Sequence, residues 1–255
     1  MLNVLNADLR RYSRTKLIYI GFLVISLLNI LSTLLIYQLA DSDFLVDIGM
    51  GGYYSFIDAL TPSNNGGLVI GIIICALVAQ EFSYGTIRNK VIVGHRRIDI
   101  FISLLLSSVI VATILFVLNT FVNGGFGTLI IGFGKDFNKD VLFELLSIIG
   151  LGTFIFLIFI FLGVLLGILI RNTGGSIVAY LVIMLILSIT IVIEPLNNNQ
   201  MVNTILSYHP INQISTLMMD GLSKELVTNI LISTPIYYLL IGGLGYYFFK
   251  VKDLK

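Results

Sequence analysis

Charge is what this sequence has least of. Asp, Glu, Lys and Arg make up 11% of its 255 residues while 57% are hydrophobic, whereas soluble domains carry about 25% charged residues. So thin a polar complement cannot cover that much apolar surface, which excludes a soluble enzyme and leaves an integral membrane protein. The single cysteine, Cys75, excludes an intrachain disulfide; set in an apolar run, it reads as a small buried hydrophobe rather than a reactive thiol. The two histidines, His95 and His209, fall in loops on opposite sides of the expected membrane, so no cluster of His, Cys and carboxylate has metal-ligand spacing. The one Gly-Lys pair, Gly134-Lys135, has Leu129 where a phosphate-binding loop needs its first glycine and Asp136 where it needs Ser or Thr. No catalytic centre or cofactor is expected in this chain, and a net charge of +1 gives no reason to expect nucleic acid.

Ionisable groups are also missing from inside the apolar runs, with Glu144 the nearest approach. That removes the hardware of proton- or sodium-coupled transport, because intramembrane charges are costly and kept only for function. Any work against a gradient must draw its energy from elsewhere.

What is present is a series of apolar runs near the ~20 residues needed to cross a ~30 Å hydrocarbon core. Six are predicted: Leu17 to Ala40, a short one from about Gly66 to Ala79, Ile100 to Asn123, Leu145 to Ile170, Ile177 to Ile193, and Ile230 to Phe249. The fold class is all-α integral membrane, a single transmembrane domain over 1–255. It divides into an interfacial helix over 1–16, six spans over 17–249 and a tail over 250–255. Twelve of the fifteen Lys and Arg, from Arg10 through Lys255, fall on the side of the two termini, and ten of the fourteen acids, including Asp41, Asp43, Asp47 and Asp58, on the other. The positive-inside rule then predicts cytoplasmic termini. Span one ends without a small-residue cleavage site and is expected to be retained. Ahead of it, Leu2, Leu5, Leu9 and Tyr12 recur at helical spacing, which predicts an amphipathic helix in the membrane interface.

Mild polar residues such as Ser26, Asn29, Ser32 and Thr33 in span one and Ser107, Ser108 and Thr113 in span three fit interhelical hydrogen bonds. Small residues four apart, Gly67 and Gly71, Gly163 and Gly167, Gly175 and Ala179, predict close helix packing within the chain.

The most informative stretch follows span two, Gln80-Glu81-Phe82-Ser83-Tyr84-Gly85-Thr86-Ile87-Arg88-Asn89-Lys90, and continues to His95-Arg96-Arg97. Phe82, Thr86, Ile87, Val91 and Val93 form a broad apolar side, so a short helix parallel to the membrane is predicted, ended by Gly94. Physics alone supports two uses equally: a handle for a soluble partner, or a connector anchored to anionic lipid.

The ordered set Glu81, Gly85, Thr86, Arg88 and Arg97 after a second span resembles the ABC-2 type permease subunits of ATP-binding-cassette exporters. The resemblance covers the whole chain through its six spans, cytoplasmic termini, amphipathic N-terminal helix and outer segment between spans five and six. Many members carry a Lys near the start of span three, where this chain has Ser103 and Leu104. The resemblance implies that the loop is a coupling helix, with Glu81, Phe82, Tyr84, Gly85, Thr86, Arg88 and Arg97 contacting a separate cytoplasmic ATPase. Two copies of that ATPase hold ATP and Mg, and two permease chains, expected to be identical, complete the transporter. Arg171 to Gly175 reads first as a tight positive-inside turn and second as a smaller ATPase contact. Short outer helices are expected between spans five and six, in a segment that holds Pro195, Asn197-Asn198-Asn199 and Pro210, with Ile214, Leu217, Met218 and Met219 as its apolar positions.

Under the same resemblance, Cys75, Tyr180 and Met184 are candidates for the wall of an apolar cavity. The implied cargo is a hydrophobic or amphipathic peptide, with permeases that export amphipathic cytolytic peptides as the nearest relatives. The implied setting is the plasma membrane of a low-GC Gram-positive bacterium. An alternative from another class is a non-transporting immunity or sensor protein that binds a peptide at its outer surface.

Overall fold

The computed structural model describes residues 1–39, 51–61, 65–196, 200–219 and 221–251. The acids Asp41, Asp43 and Asp47, the Asn197–Asn199 cluster and the tail from 252 onward lie outside the described residues. Among the described residues every regular element is a helix: α1 Leu2–Tyr12, α2 Lys16–Leu39, α3 Gly52–Asp58, α4 Asn65–Ser83, α5 Thr86–Ile92, α6 Arg97–Ile130, α7 Lys139–Ile170, α8 Thr173–Leu196, α9 Gln200–Leu206, α10 Pro210–Met219 and α11 Lys224–Val251. Five of them are long and apolar enough to cross a membrane, and α4 with α5 makes a sixth if that bent pair is one span.

Residues of one helical face explain how each span is seated. In α2, Ile18, Ile25, Asn29 and Thr33 point inward while Leu23, Leu27, Leu31 and Leu35 are exposed, the stripe expected of a helix with protein on one side and lipid on the other. The two central helices, α6 and α7, are covered on more of their circumference than α2, α8 or α11. Between them Phe116 stacks on Phe156, ring centroids 4.0 Å apart.

Glycine sets the closest crossings. A Cβ on Gly163 of α7 would stand 3.4 Å from the Gly71 carbonyl oxygen of α4, and one on Gly167 would stand 2.7 Å from Val78 Cγ1, so two of the small-residue pairs predicted from sequence pack helices within the chain. Gly175 instead meets Ile170 across the α7–α8 turn.

A second glycine seam was not legible in the sequence. The short helix α3 lies along the far part of α6: Gly52 backs onto Thr128, whose backbone N and Cα would be 2.7 Å from an added Cβ, Gly127 faces Ser55, and Gly124 faces the Phe56 ring. Asn123 Nδ2 donates to the Ser55 carbonyl at 3.0 Å. This seam accounts for the length of α6, whose 34 residues run well past the predicted end at Asn123.

The N-terminal helix forms as predicted, but a different face is turned inward. Val4, Asp8 and Tyr12 are buried against α6, whereas Leu2 is 68% exposed. The four-residue spacing of Val4, Asp8 and Tyr12 is as regular as the leucine stripe, and the inner position is decided by what Asp8 meets.

Candidate functional site

Helix α4 stops at Ser83 and the chain turns through Gly85, which sits in the left-handed region at φ 68°. A Cβ there would meet nothing within 4 Å, so the demand for glycine is a backbone one. Helix α5 leaves this turn at 54° to α4. The Thr86 hydroxyl spans the bend, 2.7 Å from the Glu81 carbonyl oxygen and 2.8 Å from Glu81 Oε2. On the far side Gly94, φ 94°, follows the last turn and stops the helix as its sequence predicts.

Under the bend lies a cluster of charges shared by α1, α4, α5 and α6. Glu81 is fully buried. Arg11 of α1 grips it with both guanidinium nitrogens, Nη1 to Oε2 at 2.9 Å and Nη2 to Oε1, the fork geometry in which Arg and carboxylate bind most strongly. Lys90 of α5 puts its Nζ 3.5 Å from Glu81 Oε2 and 2.5 Å from Asp8 Oδ1. Ser103 of α6 donates to the other Asp8 oxygen at 2.6 Å. Two cations and two anions cancel, which such burial requires, because an uncompensated charge in this setting costs several kcal/mol. Tyr12 is buried beside them, and its phenol is pushed up from the ordinary value first by burial and then by the Glu81 and Asp8 carboxylates, so it stays neutral.

Of the residues expected to contact a partner, Glu81 cannot, since none of it is exposed; its part is to position α5 through Thr86, Lys90 and Arg11. Gly85 and Thr86 are half-buried at the bend, and Phe82 packs edge-on against Phe249 of α11 at 6.2 Å. Tyr84 and Arg88 do face outward. Arg97 is exposed and ties α6 to the end of α11, its Nη1 2.7 Å from the Lys250 carbonyl oxygen, so it is separate from the cluster. The surface that α5 presents is Tyr84, Arg88, Ile92 and Val93, with Ile92 71% and Val93 76% exposed. The other short loop is held to the same corner: the Ser83 hydroxyl lies 3.1 Å from the Arg171 carbonyl oxygen, and the Arg171 guanidinium stands 5.0 Å over the Phe82 ring.

The three residues expected to line a cavity wall pack within the single chain. Cys75, Tyr180 and Met184 are buried inside one chain, at most 1% exposed. Tyr180 fills the space that Gly71 leaves open, and Cys75 Sγ donates to the Ser176 carbonyl at 3.3 Å. They are packing between α4, α7 and α8.

Sequence reasoning missed Asp8 altogether and treated Arg11 and Lys90 only as members of a positive flank. The available signal was an acid placed four residues from both Val4 and Tyr12, within a segment whose other charges are all basic. No protein-family model matches the chain, and no curated protein matches it.

Proposed function

We propose that the chain is the membrane-spanning permease subunit of an ATP-driven exporter of the ABC-2 type, with six spans, both termini in the cytoplasm of the cell that carries it, and no chemistry of its own. The observation that carries this reading is α5: a short helix set at an angle to its span, pinned from beneath by two buried carboxylates, Asp8 and Glu81, and the half-buried cations that pair with them, with Tyr84, Arg88, Ile92 and Val93 offered outward. A loop that served only as a connector needs neither the buried cluster nor an apolar tip that the rest of the chain leaves uncovered. A partner that pushed on this tip would move α1, α4 and α6 together, because Arg11, Glu81, Lys90, Asp8 and Ser103 join them.

In this reading a cytoplasmic ATPase, two copies to two permease chains, receives α5 in a groove and supplies ATP and Mg. Glu81 and Thr86 fix the angle of α5, and Tyr84, Arg88, Ile92 and Val93 make the contact. The cargo is a hydrophobic or amphipathic peptide, by the resemblance and by the apolar character of the bundle.

The test is to co-express the chain with a cassette ATPase encoded beside it, purify in nanodiscs, and measure ATP hydrolysis with and without an amphipathic helical peptide. A stable complex whose hydrolysis responds to peptide is expected, and Val93→Asp should dissociate it while leaving the permease folded. Peptide binding by the chain alone, indifferent to ATP and to Val93→Asp, would replace the exporter with an immunity or sensor protein.

A further inference from the structure

A groove of about 620 Å³ opens sideways between the α1–α2 elbow and α6. Its walls are Leu9, Ile18, Phe22, Ile110, Ile114 and Leu118, and from Ile110 to Leu118 it follows α6 for about 12 Å at 1.5 Å per residue. Both flanking helices, α2 and α6, are long and apolar enough to cross a membrane, so its floor lies at the depth of acyl chains. Its rim is different. Arg10 lines the mouth and also borders a second, polar hollow shared with Arg11 and Arg14. Arg11 is engaged with Glu81, while no acid among the described residues pairs with Arg10 or Arg14.

We infer that this groove seats one anionic phospholipid, an acyl chain lying between Phe22 and Ile114 and the phosphate on Arg10 and Arg14. An apolar slot that ends in a basic rim is complementary to that molecule and to few others, and basic pockets between spanning helices are where acidic head groups are held. A second copy of this chain is the competing occupant, and charge argues against it. At this end of the bundle Asp8 and Glu81 are buried and already paired, which leaves Asp99 as the other acid among the described residues there, so a copy would bring mainly its own arginines to the rim. A phospholipid brings the missing negative charge. Seated there, it touches α1 through Leu9 and Arg10, the neighbours of Asp8, and so braces the helix that holds α5.

The full chain, extracted in mild detergent from membranes containing phosphatidylglycerol and phosphatidylethanolamine, should retain phosphatidylglycerol selectively when bound lipid is counted by native mass spectrometry. Arg10→Gln should cut that retention about fivefold, the scale of one basic side chain's attraction for an anionic lipid. Ile114→Trp, which fills the slot from an exposed position, should do so without touching charge. Arg88→Gln, exposed and outside the lining of both hollows, should leave retention unchanged, and melting temperatures of all three variants should match the parent. Equal retention of the two lipids would overturn the inference, as would equal losses with Arg88→Gln, which would mark a diffuse surface attraction. A crosslink between cysteines placed at Ile114 in two chains would overturn it in favour of the second copy.

Discussion

At the end of the bundle that carries the N-terminus, two buried carboxylates, Asp8 and Glu81, no more than 2% exposed, meet two half-buried cations, Arg11 and Lys90. At the other end the buried polar groups among the described residues are uncharged: Gln213 Nε2 donates to Ser233 Oγ at 2.9 Å, and Thr190 Oγ1 lies 2.8 Å from Asn212 Oδ1 and 3.2 Å from His209 Nδ1. The ion pair found there, Lys135 with Glu144 at 3.9 Å, stands in the open, where such pairs contribute about 0–1 kcal/mol. Neutral amides and hydroxyls can exchange partners at little cost, whereas buried ions have no second arrangement that satisfies them. The charged end is therefore the more narrowly specified geometry of the two. Under the proposed exporter reading, that division suits a machine pushed from one side and opened at the other.

The contrast breaks most easily at Glu81. Glu81→Ala leaves Lys90 and Arg11 without their shared acid, and removal of one partner from a buried pair costs about 3–5 kcal/mol; because Arg11 is 34% exposed and water takes up part of the loss, about 2–3 kcal/mol is expected. Denaturant unfolding in detergent would measure it, and a loss under about 1 kcal/mol would mean the cluster is no more binding than a surface pair. Next comes Gly52→Ala at the far end. Its Cβ would sit 2.7 Å from backbone atoms of Thr128, which cannot step aside as a side chain could, so overpacking of about 2 kcal/mol is expected. Gly124→Ala meets only the Phe56 ring and should cost less; reversal of that order in thermal melts would show the α3–α6 seam to be soft.

A smaller effect sharpens the comparison in the middle of the membrane, where Asn29 Nδ2 donates to Asn119 Oδ1 at 2.7 Å. A double-mutant cycle with Asn29→Leu and Asn119→Leu should return a coupling of about 0.6 kcal/mol, the usual size for such bonds between spans. A coupling as large as that of Glu81 with Arg11 would erase the distinction between neutral and charged polar groups. The smallest effect belongs to His209, which partial burial holds below its ordinary 6.5. The folded protein therefore prefers neutral His209, a preference complete above about 6.5 and lost as pH falls from there through the depressed folded value. After correction for the intrinsic pH dependence of amide exchange, protection across α9 and α10 should fall below about pH 6.5 with that of α1 and α5 unchanged, and His209→Gln should abolish the trend.

Most of the bundle was legible because apolar length is a strong local signal. Helix α2 matches its predicted span within a residue at each end, and α7 to α8 breaks at the Arg171–Asn172 step where polar residues interrupt the run. Helix α3 was not legible, since seven residues rich in Gly and Tyr show neither the length of a span nor a clear period. Of the site, the short amphipathic helix, its end at Gly94 and its polar Arg88 could be read, because they form a local pattern, whereas the predicted apolar side ran from Phe82 across the bend that Gly85 makes. The buried role of Glu81 could not be read. It depends on Arg11, 70 residues away, just as Asp8 depends on Lys90 and Ser103, 82 and 95 residues away, and no window along the chain contains both halves. The same distance hid the packing of Tyr180, whose partner Gly71 sits on another span.

Those separations have a consequence for the order of events during synthesis. Asp8 and Arg11 leave the ribosome long before the residues that neutralise them, and at about 5–20 residues per second the wait for Lys90 is roughly 4–16 s. The charged partners of α1 are complete only when α4, α5 and the start of α6 have been made, so its ion pairs close on elements synthesised after it, like a clasp fitted to a later-made half.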